Sequence, residues 1–212
     1  MYTNVSYPSL ENVQEALDQL LYVTPEVTSF TNNVNTVEIG VTITSVTFNW
    51  SFNKTMTSAS INNGVGAVNP PLTTKTITGT WTTDTSWELT ASDGTNSADA
   101  STSIAFDNKR YWGVSALETL TSAEIIALGG SEFATSFDKS VVYDCSAGDV
   151  YPYYAFPAAW GTPSNVTVGG LAFSAFTVTT QSFTNASGYT SSYNVIRFNG
   201  VQSGANISVV WA

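Results

Sequence analysis

Val46-Thr47-Phe48-Asn49-Trp50-Ser51-Phe52-Asn53 places a large apolar residue at every second position and a small polar one between. That is the period of a strand with one buried and one wet face. Upstream, Ile39, Val41 and Ile43 alternate in the opposite parity, which predicts a bulge or a break into two strands before Val46. Downstream, Ile77–Trp81 and Ser86–Ala91 continue the pattern, and Asp93-Gly94 supplies a tight hairpin turn into a run that ends at Ile104-Ala105-Phe106. Short strands with turn signals every ten residues or so predict an immunoglobulin-like β-sandwich over residues 26–107, free of disulfides, with Trp50 in its core.

Before this region lies the clearest helical stretch, Tyr7 to Pro25. Leu10, Val13, Leu17 and Leu20 follow the 3-4-3 spacing of a coiled-coil seam. Asn12 with Glu15, or Ser9, can cap the helix, and Pro25 closes it. About twelve residues are marginal for an isolated helix in water, so this one needs support from elsewhere. Residues 1–25 therefore read as an attachment segment whose seam, Leu10, Val13, Leu17 and Leu20, meets copies of itself or a docking partner.

Behind the sandwich, the composition shifts at Asn108-Lys109-Arg110-Tyr111-Trp112-Gly113, where a second β domain over 108–212 is expected to begin. Thr121-Ser122-Ala123-Glu124 is a capping box opening a short helix through Leu128, ended by Gly129-Gly130 and packed on a sheet. Strand patterns follow at 141–143, 150–156, 165–168, 171–180, 193–198 and 207–211, the last tying the end of the chain into a sheet. The expected fold is thus mainly β: a short N-terminal helix, an immunoglobulin-like sandwich, and a second antiparallel β domain with one short helix.

Charge narrows the function. The net charge of −10 and six Lys+Arg without a basic cluster exclude nucleic acid and anionic membranes as main partners. Charged residues make up 10% of the chain, against roughly 25% in an average globular protein. After Asp149 there is no acidic residue, and the only charged side chain is Arg197. An uncharged sheet makes a poor monomer surface and reads as a subunit interface, though Ser, Thr and Asn could also wet it. No stretch is long and apolar enough to span a bilayer, and the start of the sequence has no signal-peptide pattern, so synthesis in a cytoplasm is expected.

Chemistry is sparse. Without histidine, Ser-His-Asp and Cys-His catalysis and His-ligated metals are unavailable, and the one cysteine, Cys145, cannot form an internal disulfide or a thiolate zinc site. The acids Asp84, Glu88, Asp93, Asp99, Glu118 and Glu132 offer a formal carboxylate pair, but solvation at turns and wet strand faces explains them without catalysis. Asp93, Asn96 and Asp99 sit where a hairpin tip could approach calcium, yet Asp-Gly in a turn needs no metal. No enzyme activity, cofactor or metal is expected. Tyr151, Tyr153 and Trp160 are candidate ligand contacts, since flat rings with polar tips suit sugars or peptides when exposed. Tyr151 and Tyr153 should share one strand face, with Tyr154 and Phe156 on the other. Pro152, Pro157 and Pro163 favour an edge strand or loop here.

Together these residues resemble a tailed-bacteriophage virion protein of the fibre or appendage kind. The segment Asn12 to Tyr22 is similar to the VQ-x-AL-x-x-L helix found where phage fibre segments trimerise. Val37-Glu38-Ile39-Gly40, the Thr/Ser/Asn-rich sandwich, Asn108 to Gly113, and Phe183-Thr184-Asn185-Ala186-Ser187-Gly188-Tyr189 are similar to a module of such proteins. The resemblance implies a homotrimer made in the host cytoplasm and located in the virion, attached to other virion proteins through its N-terminal end. A long repetitive shaft is absent. A neck, tail or head appendage, a capsid decoration protein, and a receptor- or glycan-binding tip that contacts host surface glycan all remain open.

Overall fold

A computed structural model describes residues 10–212. The chain is mainly β, with helix α1 (Leu10–Leu21) followed by β1 (Val27–Asn32), β2 (Thr36–Glu38), β3 (Ile43–Phe52), β4 (Ser58–Ile61), β5 (Gly66–Ala67), β6 (Thr74–Trp81), β7 (Thr85–Ser92) and β8 (Ser97–Asp107). Then come β9 (Lys109–Ser115), α2 (Ser122–Ile126), β10 (Gly129–Phe133), β11 (Lys139–Tyr143), β12 (Tyr151–Pro157), β13 (Val166–Val168), β14 (Leu171–Ala172), β15 (Phe176–Thr184), β16 (Thr190–Phe198) and β17 (Ile207–Trp211).

The first eight strands form two sheets, β1-β3-β6 and β2-β8-β7-β4-β5. One sheet joins the first, third and sixth strands and the other joins the fourth, seventh and eighth, which is the immunoglobulin-like arrangement. Short β5 extends the second sheet, and β2 runs parallel to the last residues of β8.

The alternation in β3 does what its pattern requires: Val46, Phe48 and Trp50 are buried, while Asn49 and Ser51 face water. Phe48 packs edge-on against Trp87 at 5.1 Å and lies 5.6 Å from Phe30. Trp50 is a core residue, as its position implies, although Trp87 is the more deeply enclosed of the two. The parity change before Val46 appears as two successive exposed residues, Thr44 and Ser45, within one continuous strand. Ile39 and Val41 are not strand residues: Ile39 lies in the turn after β2, whose own residues pair with Ala105, Phe106 and Asp107.

By compactness the chain divides into two units that are not contiguous in sequence. The first contains residues up to Asn33, Ser45–Thr78 and Ser86–Ser103; the second contains Val34–Thr44, Gly79–Thr85 and Ile104–Ala212. The expected division at 107/108 falls between β8 and β9.

In the second unit a five-stranded sheet, β10-β9-β12-β16-β15, faces a four-stranded sheet, β11-β17-β13-β14, and both are antiparallel. β12 lies at the centre of the larger sheet, not at an edge as its prolines suggest. Pro152 is tolerated because pairing with β16 starts only at Tyr153, and Pro157 is the last residue of the strand. Tyr154 and Phe156 point into one core with Tyr143, Val209 and Trp211. Tyr153 and Ala155 point into another with Tyr111, Ile125, Phe183 and Tyr193. The capping box of α2 forms, with Thr121 N–H donating to Glu124 Oε2 at 2.7 Å, and fully buried Ile125 seats the helix on the sheet. The helix ends at Ile126 with Ala127 as its cap, so Gly129-Gly130 open β10 instead of ending the helix. β17 runs between β11 and β13, tying in the C-terminal strand as its pattern predicts.

Candidate functional site

Helix α1 forms over the residues its periodicity marks. The described side chains of its seam are exposed: Val13 is 45% exposed, Leu17 44% and Leu20 80%. The helix starts at Leu10, so Asn12 lies inside its first turn and is not the cap expected of it; the Ser9 cap and the side chain of Leu10 lie outside the described residues. The helix end is held by polar contacts within the first unit. Tyr22 donates its hydroxyl to Asp93 Oδ2 at 2.7 Å and accepts from Asn96 Nδ2 at 2.8 Å. Lys54 Nζ donates to the same carboxylate oxygen at 2.7 Å and to the Val23 carbonyl at 2.9 Å, and stands 4.4 Å from the centre of the Tyr22 ring. Asn53 closes the exit by donating to the Thr24 carbonyl and accepting from Glu26 N–H.

Asp93 is the hub of this latch. The Asn96 N–H, the Lys54 ammonium, the Tyr22 hydroxyl and the Thr95 N–H hold its carboxyl far below the ordinary range. Its place in the hairpin tip therefore serves the helix, with neither calcium nor catalysis required. The sequence offers no local sign of the latch, because its members are up to 74 positions apart.

The aromatic candidates separate. Tyr151 and Tyr153 do share a face opposite Tyr154 and Phe156, but both faces of β12 are covered. Tyr153 is 1% exposed, which corrects its reading as a ligand contact: its ring is core and its hydroxyl donates to the Leu117 carbonyl at 2.7 Å. Burial pushes its phenol pKa upward. Trp160 is half-buried and stacks on Phe156 at 6.3 Å and 4°. Half-buried Tyr151 lies under the Arg197 guanidinium at 4.8 Å and donates to Glu118 Oε1 at 3.3 Å.

Three separated sequence motifs meet in the second unit. Tyr111 donates to buried Glu38 Oε1 at 2.7 Å, with Lys109 Nζ 3.9 Å from the other carboxylate oxygen. Burial first, then the Glu38 contact, drives the Tyr111 pKa far upward. Asn185 donates from Nδ2 to the Ile39 carbonyl at 2.7 Å, and Tyr111 packs on Phe183 at 5.3 Å. Gly40 has φ +95°, and a Cβ there would stand 2.5 Å from the Tyr189 Cβ, so backbone and space both require glycine.

Two more of the acids, Asp84 and Glu132, are structurally committed. Asp84 accepts the Phe106 N–H, and Glu132 accepts from Arg110 and from Lys139. Burial pushes the Glu132 carboxyl upward, but its Lys139 and Arg110 partners outweigh that and hold it low. Among the described residues no group of three or more His, Cys, Asp or Glu could hold a metal. Cys145 is buried, and burial, followed by the nearby Asp144 charge, raises its thiol pKa, the opposite of what a reactive thiolate needs. No helix among the described residues is long and apolar enough to cross a membrane.

One concavity lies under the loop before α2. Three side chains from adjacent strands strap the loop before α2 onto the sheet: Tyr153 bonds the Leu117 carbonyl, Arg197 the Glu118 carbonyl at 2.8 Å, and Gln181 the Leu120 carbonyl at 3.0 Å. Beneath the loop is a cavity of about 250 Å³, walled by Glu118, Thr119 and Leu120 of the loop and by Thr177, Thr179, Gln181 and Arg197 over Tyr153 and Val195.

No protein-family model matches the chain, and no curated protein does. Among solved structures it is similar to titin Ig tandem domains, with 10% identity and a TM-score of 0.25 over 84% of this chain and 82% of that one.

Proposed function

We propose that this chain is a non-enzymatic structural protein of a tailed-phage virion, a homotrimeric fibre or appendage subunit attached through its N-terminal segment. The observation that carries this reading is α1 itself. A helix with Val13, Leu17 and Leu20 in water is an incomplete structure, and the Tyr22 latch holds it at one end in a defined place. Two further copies of the same helix complete a 3-4-3 seam, whereas a seam of this length is too short to hold a trimer by itself.

The outward face of the smaller sheet in the second unit supplies a second contact. Ser140, Val142, Thr167, Ala172, Ser208 and Val210 lie in register across its four strands with no charge among them, and Val142 is 65% exposed. In a chain of net charge −10, an uncharged face is where copies can meet without repulsion. The resemblance of α1 and the three converging motifs to phage modules supports placement on the particle.

Immunogold labelling of purified particles from a phage encoding this chain tests the assignment. Label at a fixed neck, tail or capsid position is the expected result, with capsid-wide label selecting the decoration role. Absence of the chain from purified particles would overturn the assignment.

A further inference from the structure

The cavity beneath the 117–120 loop has no role in holding α1 or in the uncharged sheet face, and its geometry is that of a recognition site. On β15, Thr177, Thr179 and Gln181 stand at alternate positions and therefore on one face. Across the register, Thr177 lies beside Arg197, which lies beside Tyr153, and Thr179 lies beside Val195. The strapped loop adds Thr119 and Leu120 from above.

Charge and size select the ligand class. Arg197 is already matched: Nη1 donates to the Glu118 carbonyl, stands 3.6 Å from Glu118 Oε2, and the guanidinium covers the Tyr151 ring. No unbalanced charge is left to attract an anion or a cation. The hydroxyls of Thr119 and Thr179 have no protein partner among the described residues. Gln181, having used Nε2 on Leu120, keeps its carbonyl oxygen as an acceptor. Val195 and the Tyr153 ring make an apolar floor, and Leu120 of the loop is apolar above it. A volume of about 250 Å³ lies just below the roughly 300 Å³ at which drug-sized pockets begin, which suits one ring and its substituents.

We propose that this cavity binds a single neutral sugar ring, its hydroxyls meeting Thr119, Thr179 and Gln181 and its C–H face resting on Val195. The site lies wholly within the second unit and does not depend on trimerisation, so its failure and that of the virion assignment are separable.

The test is an amide chemical-shift titration of the full chain with glucose, galactose and N-acetylglucosamine, with inorganic phosphate as the charged comparator. Saturable shifts confined to the cavity residues with at least one sugar, and none with phosphate, are expected. The T119V/T179V pair should weaken binding by about tenfold or more, while T179S, which keeps the hydroxyl, should bind as the parent does. Melting curves of all variants separate lost binding from lost folding. The proposal is overturned by no saturable shift with any of the three sugars up to about 100 mM, by phosphate binding in their place, or by unchanged binding in T119V/T179V. Equal loss in T179S and T119V/T179V overturns it too.

Discussion

Helix α1 and strand β12 carry similarly prominent apolar patterns, and the structure treats them oppositely. On α1 the apolar stripe faces water, whereas on β12 Tyr153, Tyr154, Ala155 and Phe156 are all shut inside two cores. The difference lies in what is available to cover each face. β12 is flanked by β9 and β16, with a second sheet on one side and α2 on the other, so every side chain finds a partner within the chain. On α1 the described seam residues Val13, Leu17 and Leu20 are exposed, and the polar contacts of Tyr22 and Val23 lie beyond the helix end. Periodicity specifies which residues share a face; it does not say whether the cover comes from the same molecule.

Substitutions can break this contrast, beginning with the largest effect. Phe156→Ala removes a fully buried ring packed between Tyr154 and Trp160 and should cost about 3–5 kcal/mol, enough to unfold the second unit in a thermal melt. A loss under about 1 kcal/mol would mean that β12 is not the central support. Glu38→Ala strands the Tyr111 hydroxyl in a buried setting and should cost about 1–3 kcal/mol, read by denaturant unfolding. Tyr22→Phe should leave global stability nearly unchanged while speeding amide exchange in the last turn of α1; unchanged exchange there would remove the latch from the account.

The latch also has a pH signature. The folded-state pKa of Asp93 is depressed, so its contribution is complete above the unfolded carboxylate value of 3.8 and disappears as pH falls through the lower folded value. Protection of the helix end should persist from neutral pH down to about 4 and loosen only in stronger acid. A carboxyl carbon shift for Asp93 that titrates near 3.8 would contradict the described hydrogen bonds. The smallest effect on the fold belongs to Leu17→Asp: with this side chain 44% exposed, the melting of each unit should not change, although assembly should.

Where partners are near in sequence, the chain was readable. The β3 alternation, the Asp93-Gly94 turn, the Thr121/Glu124 capping box and the extent of α1 all depend on spacings of a few residues. Strands β9 and β10 were harder to see, because Lys109, Arg110, Gly113, Gly129 and Gly130 are unusual in strands. Glu132 neutralises Arg110, Glu38 lies beside Lys109, and the glycines avoid neighbouring groups: a Cβ at Gly113 would stand 2.0 Å from the Leu128 carbonyl oxygen. Centrality of β12 could not be read from its prolines, since their tolerance depends on where pairing with β16 begins. Nothing local in the sequence marks the strapped cavity: Tyr153 is buried support for its roof, and its other walls come from the 117–120 loop and from β15 and β16.

The central claim, that α1 is completed by copies of itself, is tested most directly by light scattering from the full chain at micromolar concentration. The expected mass is three times 22.6 kDa, falling to one chain in Leu17→Asp with folding intact. A parent chain that stays at 22.6 kDa would contradict it.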